Sequence, residues 1–387
     1  MIKSETTTYS EKTFSDTFDR KKMMGIVAKK TEFRIKTSAH WDELFPNEYI
    51  PPSSTPHFFP KKIIPLDVIY THEGVQRSLE EYMTNYAIAG LMVLKDGEIK
   101  FEEYHYGLNS ESRYHLWSAT KSFTSTIVGM ALYDEDIPSL DILTKDYAPQ
   151  FEGTAYGEVS MRHLLMMSSG VKFFHHKGSP DRDEMYKQIW GRGRDLDDFA
   201  AELGFRVPPG TDFNYLATDT HVISAVLRGV YNKPYHKIVI EKLWERLDMA
   251  GSAFWSKNAP DGHAFGHACL CPRLSEFVHL GQLYINDGVW KGERLLPEGW
   301  VHDSGTPRAP FQEPKPGVVG YGYQFWIPPG SKGEFMAFGA FGQWLWIDIE
   351  RGVAVAQFSG QELGDSTVEE EDHEPHAAMR AIVDAVT

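Results

Sequence analysis

The stretch "WSATKSFTS" places a hydroxyl and an amine three residues apart, at Ser118 and Lys121. If a helix starts at Ser118, the residue three positions on lies one turn away on the same face. A serine hydroxyl is a weak nucleophile until a base takes its proton. Lysine serves as that base only where burial or neighbouring cations lower its pKa. Trp117, Phe123 and Ile127 are apolar neighbours that could supply the desolvation. The N-terminal end of a helix would also favour negative charge developing near Ser118. Taken alone, S-x-x-K is a weak signal. Its plain alternative is an N-cap serine followed by a solvated lysine.

Other reactive side chains are less orderly. Sixteen histidines could complete a Ser-His-Asp triad with almost any serine, but there is no G-x-S-x-G elbow to hold the nucleophile. His175 and His176 are adjacent, so their side chains diverge, and neither has a histidine four residues on to complete an H-x-x-x-H pair. They read as solvent-facing or lid histidines. Cys269 and Cys271 would point to the same side of a strand, at a spacing poorly matched to a disulfide. They read as two buried thiols, with only His267 nearby to help hold a metal. No metal and no organic cofactor is expected.

The elements that must position these groups follow in outline. Residues 1–60 are polar and end in "IPPSSTPHFFPKK", whose prolines exclude a long helix or central strand. This is an N-terminal arm. From Val68 to Ala87, the spacing of Val75, Leu79 and Tyr82 predicts a helix. Two β-rich runs then flank Asp96-Gly97, a strong hairpin signal. Phe123, Ile127, Met130 and Ala131 predict one apolar face on the helix after Ser118. Residues 141–250 are mainly helical in pattern, interrupted at about 171–200 by a charged, irregular, lid-like loop. Strand signals return after Ser252, in "GHACL", "GYQFWI", "EFMAFGAFGQWLWIDI" and "GVAVAQF", and a helix over "PHAAMRAIVDAVT" closes the chain. Trp344 and Trp346 alternate along their strand, so both face one side. The order implies an α/β (α+β) fold: an antiparallel sheet flanked by helices, built from 61–140 and 251–387, with 141–250 as an all-helical insert. The net charge of −15 disfavours nucleic acid and anionic membranes as partners. The polar N-terminus has no apolar leader and no segment has the length of a membrane span, so a cytoplasmic location is expected, with room for a homo-oligomer.

Seven segments together resemble the serine β-lactamase-like family, which includes class C β-lactamases, low-molecular-weight penicillin-binding proteins, family VIII esterases and 6-aminohexanoate-oligomer hydrolases. They are "LMVLKDGEIKFEEYHYG", "WSATKSFTS", "SMRHLLMMSSGV", "FNYLATDTHVISAVL", "EKLWERLDMAGS", "LGQLYINDGVWKGERLLPEGW" and "GYGYQFW", in the family's order. The resemblance covers about residues 64–387. It implies that Ser118 is the nucleophile and Lys121 its base. It also implies that Tyr215 of "FNYLATD" matches the tyrosine of the Tyr-x-Asn or Tyr-x-Ser motif, able to relay the serine proton. The third position of that motif is Ala217, so a side-chain hydrogen bond to substrate is missing. The Lys-Thr-Gly or His-x-Gly motif is best matched by Ala337-Phe338-Gly339, without the cation, which weakens the expectation of ordinary β-lactam hydrolysis. By the same resemblance, the backbone N–H of Ala340 pairs with that of Ser118 as an oxyanion hole, worth ~3 kcal/mol of barrier per donor. Gly339 and Gly342 would let a substrate approach the backbone, and the small-residue stretch ending in Gly342-Gln343 is similar to that of the oligomer hydrolases. Substrate contacts are expected from Trp117, His267, Gly339, Phe341 and Gln343. The expected activity is cleavage of a small linear amide through an acyl-enzyme. An esterase or acyltransferase is the alternative, and a non-enzymatic sensor or scaffold the remaining one.

Overall fold

In the computed structural model residues 30–175, 179–362 and 373–387 are described. Residues 1–29 of the expected arm, and His176, lie outside them. The described part of the arm is a helix, α1 (Thr31–Ala39), a helical turn (Trp41–Leu44) and a strand (Asn47–Ile50) paired antiparallel with Ala253–Ser256. From Pro51 to Pro60 the chain has neither helix nor extended ladder, as its prolines require.

The helix expected over 68–87 forms only in its second half. Ile69–His72 and Val75–Ser78 make a hairpin about Glu73-Gly74, both at positive φ, the geometry of a type I′ turn. Helix then runs over Leu79–Asn85, started by a capping box between Ser78 and Glu81. The three-four spacing was real for Leu79 and Tyr82, which are buried, but Val75 stands 51% exposed on the hairpin. A turn at Glu73-Gly74 outweighed the periodicity. The second hairpin matches its signal: β1 (Ile88–Lys95) and β2 (Glu98–Tyr104) meet at Asp96-Gly97, again both at positive φ.

After a 3-10 turn at Trp117–Ala119 comes α2 (Thr120–Tyr133). This helix was expected to have one apolar face. Instead every residue from Thr120 to Ala131 is buried. Its hydroxyls make that possible by donating to carbonyls: Ser122 to Gln324 (2.7 Å), Ser125 to Tyr323 (2.8 Å) and Thr124 to Gly266 (2.6 Å). The region 141–250 carries helices, among them α3 (Pro180–Arg192) and α4 (Ala217–Tyr231). α3 falls in the stretch expected to be irregular. Proline at its first position and Gly193 in the left-handed region after it frame a charged helix that buries Met185 and Ile189.

The remaining strands are β3 (Gly320–Tyr321), β4 (Trp326–Ile327), β5 (Glu334–Gly339), β6 (Gln343–Asp348) and β7 (Val353–Ser359). "GYQFWI" thus yields only the short β4, and the run 334–349 is two strands, not one. All seven form one antiparallel sheet in the order β3-β4-β5-β6-β7-β1-β2, so the C-terminal β7 pairs with the early β1. Alternation divides the side chains between two cores. Ala89, Met92, Leu94, Leu345, Ile347, Ala354 and Ala356 share a core with α2 and α5 (Leu274–Ile285). Ile88, Leu91, Val93, Trp344, Trp346 and Val355 share the other with α6 (Glu374–Val386). Trp344 and Trp346 are therefore both core residues. Among the described residues no helix is long and apolar enough to cross a membrane.

Candidate active site

Because α2 is buried on every side, Lys121 at its start is only 2% exposed. Its ammonium donates to Ser118 Oγ (2.9 Å) and to the backbone carbonyl of His267 (3.0 Å). Among the described residues no carboxylate pairs with it. Burial lowers its pKa from 10.5 to about 7. The amine is then about half neutral near pH 7. Ser118, by contrast, is partly exposed. A buried amine held against an accessible hydroxyl is the arrangement a lysine base requires.

The serine is presented by a constrained turn. Trp117 sits at φ +50, an outlier for a bulky residue. The lead-in is fixed from one side by residues 270–272, where Tyr114 N–H donates to Pro272 O (2.9 Å) and Leu116 N–H to Leu270 O (3.0 Å). From the other side, the His115 N–H donates to Ser38 O (3.0 Å) on α1. The His267 carbonyl is held near Lys121 by its neighbour Gly266, which accepts from Thr124 and packs so tightly on α4 that a Cβ there would lie 2.6 Å from Ser224 Cβ.

Tyr215 lies two residues before the start of α4, whose N-cap is Leu216. Its segment is anchored by the Asn214 N–H donating to Met167 O (2.8 Å). Its ring packs against Tyr321 (6.0 Å) and Trp326 (5.0 Å between centroids). The Lys121 nitrogen lies 5.0 Å from the Tyr215 ring centroid. Ser118 and Lys121, one helical turn apart, thus meet Tyr215 from a second, distant stretch of chain.

The end of β5 abuts the same turn. A Cβ on Gly339 would lie 2.0 Å from Leu116 O and 3.0 Å from Ala119 N. Gly339 was expected to let a substrate approach; the backbone its missing side chain makes room for is that of the Leu116–Ala119 turn. Gln343 was also expected to touch substrate. It is fully buried, its Nε2 shared among Ala340 O (3.2 Å), Phe341 O (3.0 Å) and Ser359 O (2.9 Å), while Oε1 accepts from Ser359 N–H (3.1 Å). It holds the 340–342 turn from beneath and has no group left for a ligand. Ala340, by contrast, is partly exposed. Phe341, at φ +64, packs edge-on to Trp117 at 5.0 Å. These two aromatics pack on each other, Trp117 being next to Ser118 in the chain. His267 supplies its carbonyl; its ring is 8% exposed, and burial and the nearby Lys121 keep it neutral. Ala337, the position matched to the motif's cation, is fully buried.

Sequence reasoning did not find the His267 carbonyl or the approach of α1 to the site. A backbone acceptor has no residue-type signal, and contacts this distant in sequence leave no local pattern. Asp195, Asp197 and His221 cluster closely enough to suggest a metal. However, Asp197 accepts two bonds from the Arg228 guanidinium (2.8 and 2.6 Å) and one from Gln150 Nε2 (2.9 Å), and lies 2.8 Å from His221 Nε2. A carboxylate whose charge is already matched by a guanidinium does not fit a cation site. Cys269 and Cys271 are both buried free thiols.

Residues 75–378 match the model of the Beta-lactamase family, well over half of the chain. The chain is 24% identical over 311 residues to the 6-aminohexanoate-dimer hydrolase of Paenarthrobacter ureafaciens, covering 77% of this chain and 78% of that one. Among solved structures, a Bacillus anthracis protein provisionally described as a 6-aminohexanoate-dimer hydrolase superposes with a TM-score of 0.80 at 20% identity, over 91% of this chain and 93% of its own. EstCE1, described as a hydrolase with promiscuous acyltransferase activity, superposes with a TM-score of 0.60 at 15% identity, over 79% and 96%. These structural likenesses establish the fold, and the family match establishes the lineage: the chain belongs to the beta-lactamase family.

Proposed function

We propose that the protein is a serine hydrolase that cleaves a small linear amide through an acyl-enzyme. The observation that carries this is the buried Lys121, its pKa lowered to about 7, with Nζ 2.9 Å from Ser118 Oγ. The neutral amine takes the proton as Ser118 Oγ attacks the carbonyl carbon. The backbone N–H groups of Ser118 and Ala340 hold the oxyanion, an assignment supported by the close seating of β5 against the nucleophile turn. Tyr215, beside the lysine, passes the proton to the leaving nitrogen. Water then attacks the acyl carbon, giving its proton to Lys121, which passes it to Ser118 Oγ as the acyl–oxygen bond breaks and the acid leaves. The linear-amide preference rests on similarity to the 6-aminohexanoate-dimer hydrolase. The absence of a cation at Ala337 disfavours substrates recognised through a carboxylate at that point. Ester hydrolysis or acyl transfer is the second reading. The Trp117–Phe341 pair favours it, because apolar rings adjoining Ser118 would restrict water and let another acceptor compete.

The test is a fluorophosphonate probe on the wild type and on Ser118→Ala, read by mass spectrometry. A label on Ser118, lost in the variant, is expected. A label on another residue overturns the mechanism. A panel of p-nitrophenyl esters and linear amides, with and without an added amine or alcohol acceptor, then separates the two readings.

A further inference from the structure

The helix α1 was legible only as part of a surface arm, yet it is wedged between the two stretches that would carry the oxyanion donors. On one side it holds the nucleophile turn. Ser38 O accepts from His115 N–H (3.0 Å), and Trp41, just beyond the helix, stacks on the His115 ring (4.1 Å, 18°) and meets Trp117 edge-on at 5.4 Å. On the other side it holds the end of β7 and the turn after β5. Arg34 is 1% exposed and donates from Nε to Gly360 O (2.8 Å), while its guanidinium carbon lies 5.9 Å from the Phe341 ring centroid. Gly360 is pressed against the helix so closely that a Cβ there would lie 2.4 Å from Ile35 Cγ1. Tyr114, at the start of the nucleophile turn, donates to Ser359 O (2.9 Å), closing the ring of contacts. Trp117 and Phe341, the residues flanking the two donors, are both at positive φ. Each therefore occupies a backbone state that its own residue type disfavours and that neighbouring contacts must sustain.

We infer that α1 with Trp41 is a clamp that sets the oxyanion geometry, Arg34 being a positioning residue for the Ala340 N–H and Trp41 one for the Ser118 N–H. The inference rests on the hydrolase reading above. Neither side chain touches the reacting atoms. Both act through a turn whose displacement by about 1 Å costs roughly 10²-fold in rate.

The experiment uses the full chain with a p-nitrophenyl ester and a phosphonate that mimics the tetrahedral state. Arg34→Gln and Trp41→Phe are each expected to lower kcat by about 10- to 100-fold with KM within about twofold, and to slow phosphonylation of Ser118 in parallel. Arg34→Lys should recover part of the loss. Phe33→Ala, on the exposed side of the same helix, should behave as wild type. Full activity in Arg34→Gln and Trp41→Phe overturns the inference. So does an equal loss in Phe33→Ala, or a loss explained by the unfolded fraction seen by circular dichroism. If Arg34→Gln does not fold, the milder Trp41→Phe decides. Failure of the wild type to label at Ser118 would overturn the hydrolase reading instead, a distinct result.

Discussion

If Lys121 is the base, the rate must follow its deprotonation. Its pKa falls from 10.5 to about 7 because the ammonium is enclosed by α2, residues 266–270 and Tyr215, without a carboxylate partner. A difference of about 3.5 pH units corresponds to about 5 kcal/mol favouring the neutral amine. kcat/KM for a p-nitrophenyl ester should therefore rise about tenfold per pH unit up to about pH 7 and level off above it. At pH 5.5 it should stand about 30-fold below the plateau. The other groups facing Lys121 do not mimic this limb: burial lifts the Cys269 thiol far above neutral pH, and burial holds the His267 ring neutral. Asp219, in the first turn of α4, is pushed up to about 7 by burial, so Asp219→Asn serves as the control and should leave the inflection in place. Lys121→Arg, charged at every pH, should cost roughly 10²–10⁴-fold and abolish the inflection. Stability gives a second readout with a fixed sign. Between about pH 7 and 10.5 the unfolded chain holds a proton on this lysine that the folded one does not. Folding stability from this group therefore rises with pH across that window, by about 1.4 kcal/mol per unit, and is flat below it. Urea midpoints of the wild type should climb relative to Lys121→Met between pH 7.5 and 9.5. A pH–rate profile flat from 5.5 to 9, or one that levels only above pH 10, would refute the assignment of Lys121 as the base.

Three further outcomes follow from the packing around the site. Gly339→Ala places a methyl 2.0 Å from Leu116 O, so β5 must retreat from the nucleophile turn. A loss of about 1–3 kcal/mol in chemical denaturation and roughly 100-fold in kcat is expected, and wild-type kcat would show that the seating is not needed. Gln343→Ala takes the side-chain donor from the buried Phe341 carbonyl and the acceptor from the Ser359 N–H, and a loss of about 2–4 kcal/mol is expected from urea unfolding. Were Gln343 instead a substrate contact, KM would change and stability would not. With alanine at position 337, nitrocefin should be turned over weakly or not at all. Rapid hydrolysis would show that the missing cation is dispensable.

Local signals in the chain identified the elements whose causes are local. Asp96-Gly97 turned as those residue types require, since only left-handed backbone fits the twist of the flanking strands. The spacing of Ser118 and Lys121 set their separation, because one helical turn fixes it. The alternation of Trp344 and Trp346 placed them on one face. Where two local signals competed, periodicity was the weaker: the Glu73-Gly74 turn overrode the three-four spacing that suggested a single helix from Val68.

Burial was a different matter, because it depends on residues brought from far along the chain. The sequence showed a lysine near aromatics. Only the fold enclosed α2 on all sides, satisfied its hydroxyls with carbonyls from residues 266 and 323–324, and so lowered the Lys121 pKa. Likewise, Gln343 and Gly339 looked like substrate contacts because they lie beside a recognisable motif. In the fold, the side chain of one was spent on its own turn and the missing side chain of the other made room for the backbone on either side of Ser118. Arg34 and Trp41 carried no sequence signal at all. Their role comes from contacts with residues such as Gly360 and Trp117, more than 300 and more than 70 positions away. Sequence periodicity registers which way a residue faces along its own element, whereas desolvation and clamping depend on what faces it, and that is set when the chain closes on itself.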